Sequence, residues 1–485
     1  MKRGFSYLLS ALVVLILTVG CMKMGPDFKR PEAGINIPGT YHHAPAPDGS
    51  VTPQPEDRWW EVFDNLELNR IVDEALRNNL DIKKAAAVIL EARARFVQTR
   101  ADRFPFLGFQ GQAQRQRQTV EVSVPTFEGG SLKFESQRQR QTIDSHNLSL
   151  PASFELDLWG RLARAEEGAR ADLLMAEESR RIVAQTVVAE TINLYLLTEV
   201  LERRLQITKE SIANFHRSLD LVESRYDRGL ASILAVRQAR RILAQAEALL
   251  PSMRQELGIT QQKLTMLLGR YPETRPARIH KEDYFKRLAP VPAGLPSELL
   301  MRRPDIRAAE AQLKALNARV GVAMASRFPK ITLTAGFGYS SDALSELFRP
   351  ESELWNLAMG IAQPLFDAGK LKAVQRGAEA RYEQGVAEYA KAVLTAFSEV
   401  ESALLTRREQ LERRDRELNF REEARATQEV AETRYERGLV DYLTVLDAQQ
   451  TRFQAEDKVV QVDFAILSNR VTLHRALGGG WGEPD

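Results

Sequence analysis

Arg434-Tyr435-Glu436-Arg437-Gly438-Leu439 has a near-copy earlier in the chain, Arg225-Tyr226-Asp227-Arg228-Gly229-Leu230. The offset is 209 residues, 434 minus 225. The match runs on without a gap. Leu234 meets Leu443, Val236 meets Val445, Ala239 meets Ala448, Gln245-Ala246-Glu247 meets Gln454-Ala455-Glu456, and Leu268-Gly269 meets Leu477-Gly478. Upstream, Gly160 falls on Gly369 and Glu190 on Glu399. Further upstream the offset becomes 224, with Asp81-Ile82 on Asp305-Ile306 and Arg103-Phe104-Pro105 on Arg327-Phe328-Pro329. The chain is therefore a tandem duplication whose first copy holds about 15 extra residues between Pro105 and Gly160. A repeat of this length fixes the architecture before any single motif does.

Glycine and proline are absent between Gly168 and Gly229, and again from Val386 to Arg437. Each such run, counted from the preceding strand, predicts a helix of roughly 65–70 residues, on the order of 100 Å at about 1.5 Å per residue. Ile182, Val183, Val187, Leu194, Leu197, Leu201 and Leu205 mark a core stripe, with arginine and glutamate on most other positions. Helices this long are coiled-coil elements. Gly229 and Gly438 end them, because glycine takes the left-handed conformation that stops a helix. Return helices are expected from about Ile233 to Leu268 and from Tyr442 to Leu477. The two duplicated phrases are thus the tips of two helical hairpins. An opening helix is expected from about Leu66 to Asp102, broken by Phe104-Pro105.

Between the opening and long helices the period changes to two. Leu107, Phe109, Gly111 and Ala113 alternate with Gly108, Gln110, Gln112 and Gln114. Leu148, Leu150, Ala152, Phe154, Leu156 and Leu158 alternate with Asn147, Ser149, Ser153, Glu155 and Asp157. In the second copy the apolar sets are Ile331, Leu333, Ala335, Phe337 and Tyr339, then Leu357, Met359, Ile361 and Leu365. Arg115 to Gln141, rich in glutamine and arginine, reads as a solvated loop with ragged strand ends. Four strands of about ten residues with one apolar and one small or polar face fit transmembrane β-strands. Alternation alone fits a soluble antiparallel sheet equally well. The export signal described next favours the membrane. Four strands cannot close a barrel with a usable lumen, so several chains must contribute, and three give twelve strands.

Lys2 and Arg3 precede an apolar run from Leu8 to Val19 and then Gly20-Cys21, which reads as a secretory signal over residues 1–20. The run is too short for a good membrane span. With Cys21 first after the break, the start resembles a bacterial lipoprotein signal, although Thr18 stands where that pattern has leucine and Leu17 lies one earlier. The resemblance implies a lipid on Cys21, palmitate and diacylglycerol, and outer-membrane sorting, since Met22 is not aspartate. Residues 21–62 carry seven prolines between Pro26 and Pro55 and read as an extended arm pinned by Trp59-Trp60. Repeat one follows at 63–270, a proline-rich linker at 271–296, repeat two at 297–478 and a tail at 479–485.

Composition excludes several classes. Across 485 residues, 44% are hydrophobic and 27% charged, and a net charge of +2 offers nothing to nucleic acid. One cysteine excludes an internal disulfide and a cysteine-based zinc site. His42-His43, the one adjacent histidine pair, sits in the proline-rich arm. No nucleophile elbow, phosphate-cradling loop or paired metal-ligand motif supports an enzyme.

Together these features resemble the TolC-like outer-membrane factors, and more closely the OprM/NodT type of efflux lipoprotein. The residues that carry the resemblance are Met24-Gly25-Pro26-Asp27-Phe28 and Arg30-Pro31, Arg303-Pro304-Asp305-Ile306, both hairpin tips, and Tyr442-Leu443-Thr444-Val445-Leu446-Asp447-Ala448-Gln449. The resemblance implies a mainly α fold with β. Three chains would form a 12-stranded outer-membrane barrel continuous with a long α-helical tunnel in the periplasm. It implies a homotrimer in outer-membrane lipid that works with a periplasmic adaptor and an inner-membrane pump, RND-type favoured, without cofactor or catalysis. Asp447 then matches a lumenal gate aspartate, Leu443 its hydrophobic partner one turn earlier, and Asp227 and Tyr435 a pair that bonds the two tips. Val440 and Gln450 stand where some members have arginine. The exit duct of a type I protein secretion system is the alternative on the same fold. A pore-less coiled-coil adhesin or scaffold is a third reading, which the four alternating strands oppose.

Overall fold

The computed structural model describes residues 23–31, 38–43, 58–128, 131–278 and 296–479. The export signal, Cys21, most of the linker and nearly all of the tail lie outside the described residues. Two opening helices, α1 (Leu66–Asn78) and α2 (Leu80–Ala101), lead into β1 (Phe106–Leu107), β2 (Gln110–Glu128) and β3 (Ser131–Leu156). A long hairpin follows, α3 (Arg161–Asp227) and α4 (Ile233–Leu267). The second copy repeats the order with α5 (Pro296–Arg302), α6 (Pro304–Ala325), β4 (Lys330–Ser341), β5 (Glu353–Ala362), α7 (Lys370–Glu436) and α8 (Tyr442–Ala476). Corresponding helices have equal length: 67 residues for α3 and α7, 35 for α4 and α8, and 22 for α2 and α6.

The expected opening helix is two helices. Asn79 has an extended ψ of 133° and separates them. Its Oδ1 accepts from the amides of Asp81 at 2.9 Å and Ile82 at 3.2 Å, which caps the new helix, and its Nδ2 donates to Leu267 O at 3.0 Å. Its counterpart Arg303 separates α5 from α6 and donates through Nη1 to Ala476 O at 2.9 Å. Leu267 and Ala476 are themselves counterparts at the ends of the return helices. The duplication therefore preserves a bond from each helix break to the last turn of its return helix, although the two side chains differ in kind.

The contacts divide the chain into two units, and each draws on both copies. The first unit holds residues 23–30, Glu91–Leu173 and Ala311–Val386. Its antiparallel sheet has the order β1/β2–β3–β4–β5. β1 and β2 pair with β3 in one uninterrupted register, so they are a single strand nicked at Gly108-Phe109. Of residues 115–141, expected as a loop, the described 115–128 and 131–141 are instead ribbon, paired within a ladder from Gln110↔Ser149 to Glu128↔Ser131. Two physical causes explain the difference. Thr119, Val120 and Val122 favour strand, and a two-stranded ribbon needs no buried face to satisfy its backbone. Gly129-Gly130, a two-residue hairpin signal, separates the paired ends in the sequence.

Also in this unit, the segment from Met24 to Phe28 is held by α3 and α6. Arg164, only 1% exposed, donates to Met24 O at 3.1 Å and Gly25 O at 3.0 Å and pairs with Asp27 at 2.9 Å. Asn317 donates to Pro26 O at 2.9 Å, and Lys314 lies over the Phe28 ring. At Gly25, with φ +86°, a Cβ would come within 2.7 Å of Gly321 Cα. Only glycine fits this approach, which gives a physical reason for the Met24-Gly25-Pro26-Asp27-Phe28 motif.

The second unit holds the described part of Pro31–Leu90, Leu174–Glu310 and Ala387–Asp485. Trp59, Trp60, Phe63, Leu68 and Val72 form one core with Val188, Ile192, Tyr195, Leu196 and Val471. Trp59 stacks on His474 with ring centroids 4.7 Å apart. The amides of His42 and His43 donate to the Glu401 carboxylate. Of the expected stripe on α3, Val187, Leu201 and Leu205 are buried and the rest half-buried.

Candidate functional site

Two features carry the functional reading, and each lies inside one unit. The first is the pair of faces on the sheet. Residues directly opposite in an antiparallel ladder share a face, and successive rows alternate. One face carries the rows Leu150–Phe337–Trp355, Ala152–Ala335–Leu357, Phe154–Leu333–Met359 and Leu156–Ile331–Ile361, and ends in Leu148–Tyr339–Glu353, where a carboxylate joins the apolar pair. The other carries Asn147–Ser340, Ser149–Gly338–Leu354, Pro151–Gly336–Asn356, Ser153–Thr334–Ala358 and Glu155–Thr332–Gly360. The apolar rows face solvent within one chain: Trp355 and Leu357 are each 73% exposed. An apolar band of this size is stable only against lipid or another protein. β5 and the β1/β2 strand are both edges, each with one side unpaired in this sheet.

The second feature is the paired tips. At the end of α3, the amides of Gly229 and Leu230 donate to Tyr226 O and Arg225 O, both at 2.8 Å. At the end of α7, Gly438 and Leu439 donate to Tyr435 O and Arg434 O at 2.9 Å. The glycines have φ of +74° and +72°. Both ends are thus the same left-handed glycine cap with nested hydrogen bonds. Ser232 and Asp441 then cap the return helices through the amides of Ala235 and Thr444. Two hydrogen bonds to Thr444, from hydroxyl and amide, hold the Asp441 carboxyl below its usual range.

Both hairpins share one core beneath the tips. Phe215, Val222, Val236 and Ile242 of the first pack with Ala431, Tyr435, Tyr442, Val445 and Leu446 of the second. Burial pushes the Tyr442 hydroxyl up to about 12. Gln449 Nε2 donates to Ser218 Oγ across the hairpins and to Glu432 Oε1 on its own, both at 2.8 Å. Arg204 pairs with Asp457 farther from the tips, at 2.6 Å, and Arg225 makes a polar link at the tips themselves. Its Nη1 donates to Tyr435 O at 3.1 Å and Glu436 O at 3.3 Å, and its guanidinium lies 4.7 Å from the Tyr435 ring centroid.

The expected pairing of Asp227 with Tyr435 does not form within the chain. Tyr435 is buried and its hydroxyl has no hydrogen-bond partner, whereas Asp227 is exposed. Arg225 occupies the linking role because its longer side chain reaches the carbonyls of the last turn of α7, Glu436 O and also Tyr435 O, which already accepts from Gly438. Sequence reading missed Arg225, Ser218 and Gln449 as linkers. The available signal was an arginine four residues before a helix-ending glycine, where cations meet terminal carbonyls. Asp447 and Leu443 sit one turn apart on the exposed face of α8, with Leu443 52% exposed. Leu230, Leu234 and Leu439 are also exposed. Among the described residues no helix is long and apolar enough to cross a membrane, and no cluster of acidic, histidine or cysteine side chains could hold a metal ion.

A two-faced sheet joined to paired hairpins of coiled-coil length defines a class, the outer-membrane channel protein with a helical extension. The comparisons agree. Residues 71–270 and 295–479 match the family model described as outer membrane efflux protein. The chain is 33% identical over 476 residues to the cation efflux system protein CusC of Escherichia coli O6:H1, covering 98% of each chain. It is 34% identical over 475 residues to the solvent efflux pump outer membrane protein SrpC of Pseudomonas putida, covering 97% of each. The solved outer-membrane channel OprN superposes with a TM-score of 0.84 at 30% identity, over 95% of this chain and 99% of that one. The chain belongs to the outer membrane efflux protein family and is an outer-membrane efflux component.

Proposed function

We propose that the chain is one of three identical subunits of a duct that passes small molecules out across the outer membrane, fed by an inner-membrane pump through a periplasmic adaptor. The observation that carries this is the sheet with one apolar face, one small and polar face, and two open edges. Joining the β5 edge of one copy to the β1/β2 edge of the next satisfies both ladders, and three copies place twelve strands around a lumen wide enough to conduct. The small and polar rows then line the lumen and the apolar rows meet lipid. The apolar side chains Leu80, Val88, Leu90 and Val97 of α2, exposed in one chain, are suited to burial against another copy.

Asp447 and Leu443 form the gate in this reading. Three copies of Asp447 near an axis make an acidic ring that repels anions and resists close approach of the tips, and the Leu443 ring narrows the path. Cys21 carries diacylglycerol and palmitate, since several acyl chains hold firmly where one does not. Cargo is chosen elsewhere in the assembly: CusC and SrpC are almost equally similar to this chain, yet one is named for cations and the other for a solvent. Disrupting the gene in its native host and measuring dye and antibiotic accumulation tests the proposal. Increased accumulation, reversed by the wild-type gene, is expected. Unchanged accumulation alongside a block in the export of one protein would replace small-molecule efflux with protein secretion.

A further inference from the structure

Every connection between the sheet and a helix lies at one end of the strands, because β1 and β4 follow helices and β3 and β5 lead into them. The β2–β3 ribbon leaves the opposite end. The last row shared with β4 is His146↔Ser341, and β2 and β3 pair on from Gln114↔Ser145 to Glu128↔Ser131. That is on the order of 50 Å of ribbon at about 3.4 Å per residue. The register does not shift, so the parity of the faces carries over from wall to ribbon.

On the side continuous with the apolar rows, the next four rows are Arg115–Asp144, Arg117–Thr142, Thr119–Arg140 and Glu121–Arg138. On the other side are Gln114–Ser145, Gln116–Ile143, Gln118–Gln141 and Val120–Gln139. All six charges of this stretch lie on one face, four arginines against two carboxylates. Arg115 pairs with Asp144 at 2.6 Å and Arg138 with Glu121 at 3.1 Å. Arg117 reaches only the Thr142 hydroxyl, at 3.4 Å, and Arg140 has no carboxylate partner among the described residues. All four arginines are exposed. The ribbon's twist turns the more distant rows away, so Arg115 and Arg117 hold the continuous direction best.

We propose that this arginine face binds the phosphate groups of the outer-leaflet glycolipid, the phosphorylated headgroups of lipopolysaccharide. The proposal rests on the reading of the sheet as a membrane-inserted wall with its helices on the periplasmic side. The apolar rows end where the hydrocarbon ends, and beyond the Ala113–His146–Ser341 row the charges on the same face are mostly cations, four arginines against two carboxylates. Phosphates stand at that level, and a guanidinium fork matches them in a bidentate way. The uncharged glutamine side turns toward the exit path, where fixed charge would hinder mixed cargo. The second copy's β4–β5 connection, Asp342 to Ser352, carries one arginine, Arg349, paired with Glu346. The extra residues of the first copy therefore add the cationic face.

The test is native mass spectrometry of the detergent-purified full-length protein, titrated with bis-phosphorylated lipid A and with its dephosphorylated form. Arg117→Gln/Arg140→Gln is expected to weaken binding of the phosphorylated lipid about tenfold. Arg117→Lys/Arg140→Lys should retain most of the binding, and the dephosphorylated lipid should bind wild type and variants alike. Equal binding of phosphorylated lipid to wild type and the glutamine variant overturns the proposal. A changed number of associated copies with unchanged lipid affinity also overturns it, in favour of contact between ribbons. Efflux is not the readout, so failure here is distinct from failure of the duct reading.

Discussion

Arg225 is the polar link nearest the ends of the hairpin tips, and removing it should loosen them without unfolding the protein. It gives two hydrogen bonds to carbonyls of the second hairpin and one cation–π contact. Charged hydrogen bonds contribute about 1.5–3 kcal/mol when buried, and a cation–π contact about 0.5–2. The side chain is half-buried, and both bonds come from one nitrogen. A discounted total of about 2 kcal/mol is therefore appropriate for Arg225→Ala. That corresponds to roughly a 30-fold rise in the population with separated tips. Amide hydrogen exchange reads this directly. The amides of Gly229, Leu230, Gly438 and Leu439, which close the two caps, should exchange roughly 30-fold faster. Amides around Ile192 and Val471, in the other core, should be unchanged. Arg225→Lys should fall between, because an ammonium keeps the charge and loses the fork. Unchanged exchange at all four tip amides would refute the assignment of Arg225 as the link.

His474 gives a pH prediction. Burial, and the nearby Arg470 and Arg407 charges, push its pKa down to about 3. The folded value lies below the unfolded one, so the unfolded chain binds the proton first and stability falls as pH drops from about 6.5 towards 3. At pH 5 this costs about 2 kcal/mol per chain. A pH 5 melting temperature that drops less in His474→Gln than in wild type is expected, and identical acid shifts would contradict it. Asp447→Ala should increase passive entry of large antibiotics several-fold at unchanged expression; single-channel recordings with unaltered conductance and opening frequency would remove Asp447 from the gate. Mass spectrometry of the mature N-terminus should find acyl chains on Cys21, and an unmodified residue there would reject lipid anchoring.

The duplication and the long helices were legible because their signals are local and repeated. Glycine ends a helix wherever it falls, and the 209-residue offset sets both hairpins at once, so α3, α4, α7 and α8 follow closely. The β2–β3 ribbon was not legible, because a strand without a buried face has no apolar alternation to show. The break at Asn79 was hidden for a related reason: asparagine there acts through its side chain on the amides of Asp81 and Ile82, which no periodicity reports. At the tips, the glycine caps and the exposed turn of Leu443 and Asp447 were readable from one chain. The Arg225 link was not, since it joins residues more than two hundred positions apart and is not itself a match to a known pair.

The most direct measurement is cross-linking in living cells from photoreactive residues at the exposed tip positions Leu230 and Leu439, followed by identification of what is captured. A periplasmic adaptor, co-purifying with a proton-driven inner-membrane transporter, is the predicted result. An ATP-driven transporter in its place would contradict small-molecule efflux by the favoured pump class. Capture of neither, from protein that fractionates with the outer membrane, would contradict the duct itself.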